Sequence, residues 1–267
     1  MSAPISTPWL SRFAPRPAAE VRAFCFSFAG GGAAAYRPWA LSLPDTVEVF
    51  AVQLPGRENR LREPPMHRMP DLLSALVPAL MPHLDRPFAF WGHSMGALVA
   101  YEAACSLQQR GAPKPARLML SARRPPQLPD RDPPMHGLDD AAFVAEIQRR
   151  YNGIPPEVLL YPELLELLLP ALRADMAVIE SHQAATAARA HPKFDGPISV
   201  FGGHDDLRAP RHELEGWQAH TNEPIVMRQF PGGHFYFNEA PVRAALLSAV
   251  AADLKAHLHT STASARP

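Results

Sequence analysis

Cysteine is nearly missing: the 267 residues hold two, Cys25 and Cys105. Two thiols cannot build the disulfide framework of a small secreted domain. Both sit in apolar surroundings, which predicts free, buried thiols in a reducing compartment. An excess of one charge is missing too. Lysine plus arginine and aspartate plus glutamate each total 26, and no five like charges run together. The electrostatic footprint of a nucleic-acid binder is therefore lacking. No apolar run approaches 18 residues, so no membrane insertion is expected. The first twenty residues, broken by Pro4, Pro8, Pro15 and Pro17, offer no apolar stretch for a secretory signal. Together these absences predict a soluble, cytoplasmic protein.

What is present is a core. Hydrophobic residues make up 47% of the chain, and its length is enough to bury them in one domain spanning 1–267. Short apolar runs recur at Arg22–Phe28, Val47–Val52, Pro87–Trp91, Ala116–Ser121, Pro197–Phe201 and Ile225–Phe230. Most lack clean in–out alternation, as strands covered on both faces do. Helical patterns fill the gaps, and strand–helix–strand order predicts a mostly parallel, doubly wound α/β sheet. Residues 1–20 read as a Pro-rich lead-in and His259–Pro267 as a polar, frayed tail.

One segment breaks this rhythm. From Arg123 to about residue 190 no strand is legible. A Pro-rich stretch (Arg123–Gly137) leads into helical patterns near Leu138–Tyr151, Pro156–Leu169 and Ala171–Ala188. Helix without strand, placed between two strands of a sheet, predicts a helical lid.

The sharpest local pattern is Gly92-His93-Ser94-Met95-Gly96. Gly-x-Ser-x-Gly alone would arise by chance in roughly one chain of this length in ten. Its context is more specific. An apolar strand precedes it, and a run apolar nearly all round follows from Ala97 to Cys105, stopped by Gly111 and Pro113. Strand, tight turn and helix form the nucleophile elbow of an α/β hydrolase, with Ser94 at its tip.

A serine hydroxyl is a poor nucleophile until a positioned histidine takes its proton. In this fold the order along the chain is Ser, acid, His. His234, in Gly232-Gly233-His234-Phe235-Tyr236 after the last strand, fits the base. His204 precedes the acids and reads as a loop residue, and His93 as a packing residue. His182, His191, His212 and His220 read as surface or lid residues. The acid follows the strand ending near Phe201, which offers Asp205 and Asp206. The pattern Gly-x-x-Asp-x-x-x-Pro, from Gly203 to Pro210, selects Asp206 and leaves Asp205 as the alternative. A metal reading of His204, Asp205 and Asp206 finds no second ligand cluster. An oxyanion hole needs two backbone donors: one from Met95, after the nucleophile, the other from Ala29 in the loop Phe26–Ala33. That glycine run has neither G-x-G-x-x-G nor a Walker lysine, so it is not a phosphate loop.

At this point the chain resembles the type II thioesterases that accompany polyketide and nonribosomal peptide synthetases. Five stretches carry the resemblance: Cys25–Gly31, Gln53–Arg60 with its Leu-Pro-Gly-Arg-Glu block, Gly92–Ala97, Gly203–Asp206 with Trp217 beyond, and Gly232–Phe237. The Leu54–Glu58 block is the most specific; read from the residues alone it is a turn with a surface Arg57–Glu58 pair. Ser27 and Phe28 depart from the family's Pro-His, and Leu207-Arg208 from its Val after the acid. The resemblance implies hydrolysis of acyl or aminoacyl thioesters from the phosphopantetheine arms of acyl carrier and peptidyl carrier domains, clearing stalled synthetases. It implies no cofactor and no metal. Carrier domains are usually acidic, so Arg123 and Arg124 are candidates to dock them. Two rival readings are a carboxylesterase or lipase acting on free oxygen esters, and a non-catalytic hydrolase-fold partner.

Overall fold

All six expected strands form. The computed structural model, which describes residues 7–186 and 191–263 with side chains through 256, adds a seventh. The strands are β1 (Leu10–Ser11), β2 (Val21–Phe26), β3 (Val47–Val52), β4 (Phe88–His93), β5 (Leu118–Ser121), β6 (Ile198–Gly203) and β7 (Val226–Phe230). They make one sheet in the order β1-β3-β2-β4-β5-β6-β7, parallel throughout except for β1 against β3. The chain steps from β2 outward to β3, then back across to β4 on the other side. The crevice beyond the C-terminal ends of β2 and β4 is where such sheets bind ligands.

The five central strands, β2 to β6, are buried on both faces, but the faces differ. Phe24, Phe26, Phe50, Phe88 and Phe90 point to one side and stack edge-on or tilted, with centroids 5.0–5.8 Å apart. They pack under α2 (Met69–Leu80) and α3 (Met95–Gln109). Ala23, Cys25, Val49, Ala51, Ala89 and Trp91 point to the other side, against α1 (Arg37–Ser42) and α8 (Ala240–Ala263). A buried Phe at this centre contributes about 1.5–3 kcal/mol, and truncating it to Ala costs about 3–5 kcal/mol. Helix α3 is buried nearly all round, as its sequence predicts. It ends at Gly111 (φ +63°) in a Schellman turn, in which Ala112 N–H donates to Leu107 O and Gly111 N–H to Gln108 O.

Between β5 and β6 lie α4 (Asp140–Tyr151), α5 (Pro156–Leu159) and α6 (Pro162–Thr186), with no strand among the described residues, and the short α7 (Arg211–Leu214) follows β6. Asp139 caps α4 by accepting from Ala142 N–H at 2.9 Å. The two later patterns come out differently from expectation. Pro156–Leu159 is a single turn, and one helix runs straight through Pro170. The missing bond is tolerated because Pro170 and Glu166, whose carbonyl is freed, both face water. The end of the third pattern, residues 187–188, lies outside the described residues. At the other terminus α8 continues to Ala263, so the tail expected from His259 is helical that far. No described helix is long and apolar enough to cross a membrane.

Candidate active site

Four loops at the C-terminal ends of β2, β4, β6 and β7 meet at Ser94. The serine sits at φ +55°, ψ −116° between β4 and α3, a conformation unusual for a residue with a side chain. Ser94 N–H donating to Ser121 O (2.8 Å) and Ala97 N–H donating to Ser94 O (3.1 Å) hold it there. The flanking glycines are demanded by contact. A Cβ on Gly92 would lie 2.1 Å from Gly96 O, and one on Gly96 would lie 2.0 Å from Phe26 O.

His234, on the loop after β7, places Nε2 3.0 Å from Ser94 Oγ and Nδ1 2.9 Å from Asp206 Oδ2. An ionised carboxylate only accepts, so Nδ1 carries the proton and Nε2 is left to accept from the hydroxyl. The second oxygen, Asp206 Oδ1, accepts from Arg208 N–H (2.8 Å) and Ala209 N–H (3.3 Å), which fixes the carboxylate plane. Asp206 is buried, whereas Asp205 and His204 are exposed. Of the two acids left open by the sequence, the structure brings Asp206 to His234.

The other histidines sort by burial. His93 packs among Phe28, Phe235 and Phe237 and bonds Ser121 Oγ through Nδ1 at 2.9 Å. Burial, and then His234 beside it, push its pKa well below the usual range, so it stays neutral. His220 was expected at the surface or in the lid, but it is buried against Trp217 with Nδ1 2.9 Å from Tyr101 OH. His182 is also largely covered, 3.0 Å from Glu102. His212 is exposed, as expected.

Ala29 and Ser94 line one pocket with Ile147, Tyr151, Leu172, Met176, Ile179 and Phe235, apolar but for the reacting groups. Among the described residues neither Ala29 N–H nor Met95 N–H has a protein acceptor. Two unsatisfied donors beside a serine are what an oxyanion hole requires. The pocket continues over Phe28 and Ala29 into a groove of about 550 Å³ beneath Ile154, Leu165 and Leu168. A polar alcove opens on the opposite side of Ser94, lined by Arg123, Arg124, Arg208 and Gln183. Those first two arginines were expected to be exposed for docking. Instead Arg124 pairs with Glu213 at 2.7 Å, and Arg123 donates to Gln183 Oε1 at 3.1 Å. Another cleft, of about 600 Å³, lies at the far ends of the strands around Asp85, Lys114 and Asp195, remote from these groups.

The structure also gives the Leu-Pro-Gly-Arg-Glu block a place. Gln53 Oε1 accepts from Ala33 N–H (2.8 Å), and Glu58 accepts from Ala34 N–H (3.1 Å). Arg57 is no surface residue: it is buried and makes a bidentate pair with Asp175 of α6, at 2.5 and 2.8 Å. Asp175 was not singled out from the sequence, and Gln53 only as the first residue of the family-like stretch Gln53–Arg60. A lone acid in the apolar run Ala174-Asp175-Met176-Ala177-Val178-Ile179 was the available signal. The departures at 27 and 28 are accommodated: Ser27 Oγ donates to Gly32 O at 2.7 Å, and the Phe28 ring packs on Phe235. Leu207 is exposed, and Arg208 pairs with Asp132.

A mostly parallel sheet carrying a serine elbow, a late acid and a later histidine is the arrangement of the α/β hydrolases. Residues 22–254 match the thioesterase domain, and the chain belongs to that family. Thioesterase PikA5 of Streptomyces venezuelae is 40% identical over 233 residues, which cover 86% of this chain and 80% of that protein. Gramicidin S biosynthesis protein GrsT of Aneurinibacillus migulanus is 37% identical over 232 residues, covering 87% and 89%. The solved structure of the type II thioesterase BorB from the borrelidin biosynthetic cluster superposes with a TM-score of 0.82 at 34% identity, covering 94% of this chain and 99% of that one. The resemblance to type II thioesterases read from the sequence holds.

Proposed function

We propose that this chain is a carrier-protein thioesterase that removes acyl or aminoacyl groups from phosphopantetheine arms and so clears stalled polyketide or nonribosomal peptide synthetases. The observation that carries the reading is the junction at Ser94, where a hydrogen-bonded Ser–His–Asp chain opens onto an apolar pocket in a member of the thioesterase family. Ser94 Oγ attacks the thioester carbonyl and passes its proton to His234 Nε2, while Asp206 stabilises the resulting imidazolium. The N–H groups of Ala29 and Met95 hold the developing oxyanion, each donor contributing about 3 kcal/mol where such groups have been removed. Collapse breaks the carbon–sulfur bond, and the pantetheine sulfur takes the proton from His234. Water then attacks the acyl-serine ester, gives a proton to His234, and the acid departs as Ser94 is reprotonated. The chain's own groups suffice, with no resident metal or cofactor in the scheme. Free buried thiols fit a reducing, cytoplasmic setting.

The test is incubation with a panel of acyl-loaded carrier proteins read by intact mass, alongside Ser94→Ala and a p-nitrophenyl ester. Faster release from the carrier thioesters, abolished in the variant, is expected. Preference for the oxygen ester would make the chain a carboxylesterase. Failure of a fluorophosphonate to label Ser94 would point to a non-catalytic partner.

A further inference from the structure

We infer that the buried Arg57–Asp175 pair positions the oxyanion loop, making the aim of Ala29 N–H depend on how α6 is seated; this rests on the proposed use of Ala29. Ala29 N–H belongs to the same rigid peptide unit as Phe28 C=O. That carbonyl accepts from Gly31 N–H at 2.9 Å, closing a four-residue turn over Phe28–Gly31. Gly30, third in the turn, has φ +77°, the value that a type II turn demands of its third residue. The peptide joining Ala29 to Gly30 is the one that reverses when such a turn changes type. Its N–H is not left to solvent: Gly30 N–H donates to Asp175 Oδ2 at 2.7 Å. Reversal would turn the Ala29 carbonyl toward a carboxylate, acceptor against acceptor. Asp175 thereby selects one form of the turn, and it acts on Ala29 N–H by anchoring the peptide that follows Ala29, not by reversing the donor's own peptide.

The carboxylate is itself held. Arg57 grips both its oxygens, and the two side chains are only 4% and 3% exposed. Arg57 Nη1 also donates to Gly31 O at 3.3 Å, so the guanidinium touches the turn directly. A fork that engages both oxygens fixes orientation as well as charge. The third party is the insertion. Asp175 lies on α6 between Leu172 and Met176, both of which line the pocket. Leu172 Cδ1 comes within 3.1 Å of where a Gly30 Cβ would be. One helical turn of α6 therefore contacts the acyl pocket on one side and sets the oxyanion turn on the other. Any shift of that turn moves both.

The test removes the pair without leaving a buried charge. In R57M/D175L two apolar side chains replace a buried ion pair, a swap that often leaves stability unchanged. Expected is a fall in kcat of roughly 10- to 100-fold, less than for deleting a donor outright, with KM within a factor of three. The rate of phosphonylation of Ser94 by a fluorophosphonate and the affinity for an alkyl boronic acid, both of which place an oxygen in the hole, should fall in parallel. Binding of the product carboxylic acid should not change. Unchanged kcat and labelling, or a rise confined to KM, would overturn the inference. If the double variant does not fold, Asp175→Asn decides: it keeps an acceptor for Gly30 N–H but loses the second charge. Loss of tetrahedral-analogue affinity without loss of product affinity is expected there too, and equal losses would refute it. Labelling and boronate binding need no carrier substrate, so they read the turn even if the chain acts on another ester.

Discussion

Asp206→Asn should abolish turnover while leaving the fold intact, for a reason visible in the carboxylate's partners. Asp206 Oδ1 accepts two backbone N–H groups, from Arg208 and Ala209. An Asn at 206 must keep its only oxygen there, because turning the amide over would set NH₂ against two donors. Its nitrogen then faces His234 Nδ1, 2.9 Å away in the parent. That amide donates, so Nδ1 must accept, and the ring proton moves to Nε2, where it faces Ser94 Oγ. The imidazole can no longer take the serine's proton. The equivalent exchange in a serine protease lowers kcat about 10⁴-fold, which at about 1.4 kcal/mol per decade is some 5–6 kcal/mol of transition-state stabilisation. Single-turnover hydrolysis of an acyl carrier protein, followed by intact mass, measures the loss. Asp205→Asn is the control, since that side chain is exposed, and it should stay within twofold of the parent. More than a tenth of parental activity in a folded Asp206→Asn, or an equal loss in Asp205→Asn, would refute the reasoning.

Three further outcomes are expected. Met176→Ala enlarges the pocket and should raise the ratio of kcat/KM for longer over shorter acyl chains by roughly fourfold per methylene accommodated, from about 0.8 kcal/mol per CH₂. Trimming α4 and α5, which leaves α6 and its Asp175 in place, should likewise change selectivity more than turnover of a short acyl substrate, and equal loss on all chain lengths would count against a selectivity role. Gly96→Ala drives a Cβ into the Phe26 carbonyl, and fluorophosphonate labelling of the soluble fraction should disappear. His220, its pKa lowered to about 4 by burial and then by His191 and Lys193, is neutral in the fold and protonates first in the unfolded chain. Its contribution is complete above about pH 6.5 and is lost as pH falls toward 4, by up to about 3 kcal/mol. His220→Gln should flatten that part of a urea-denaturation profile but not level it, because His93 acts in the same direction.

The site was legible where chemistry and backbone constraint coincide. The elbow announces itself because two glycines are forced by carbonyls that lie far inside van der Waals distance of any added Cβ, and the base because it follows the last strand at a glycine pair. Strand limits came within two residues, since burial on both faces leaves a continuous apolar run. β1 went unread because two residues carry no period. The helix through Pro170 was split in two because a proline normally ends a helix, and only its solvent-facing placement shows otherwise. Arg57, Asp175 and His220 were misplaced or missed for one shared reason. Their partners lie far away along the chain, and a polar side chain looks exposed until the group that satisfies it is known.

The reacting groups are not equally well anchored. Ser94 hangs from β4, central and wholly covered, whereas His234 follows β7, the outermost strand, partly open to water along its length. The histidine loop leans on Phe230 stacked against Tyr236, and β7 is tied to α8 by Arg228 gripping Asp253. Mild denaturant or heat therefore detaches the proton acceptor while the middle of the molecule still stands. Inactivation should precede the loss of far-ultraviolet ellipticity, and it should reverse on dilution.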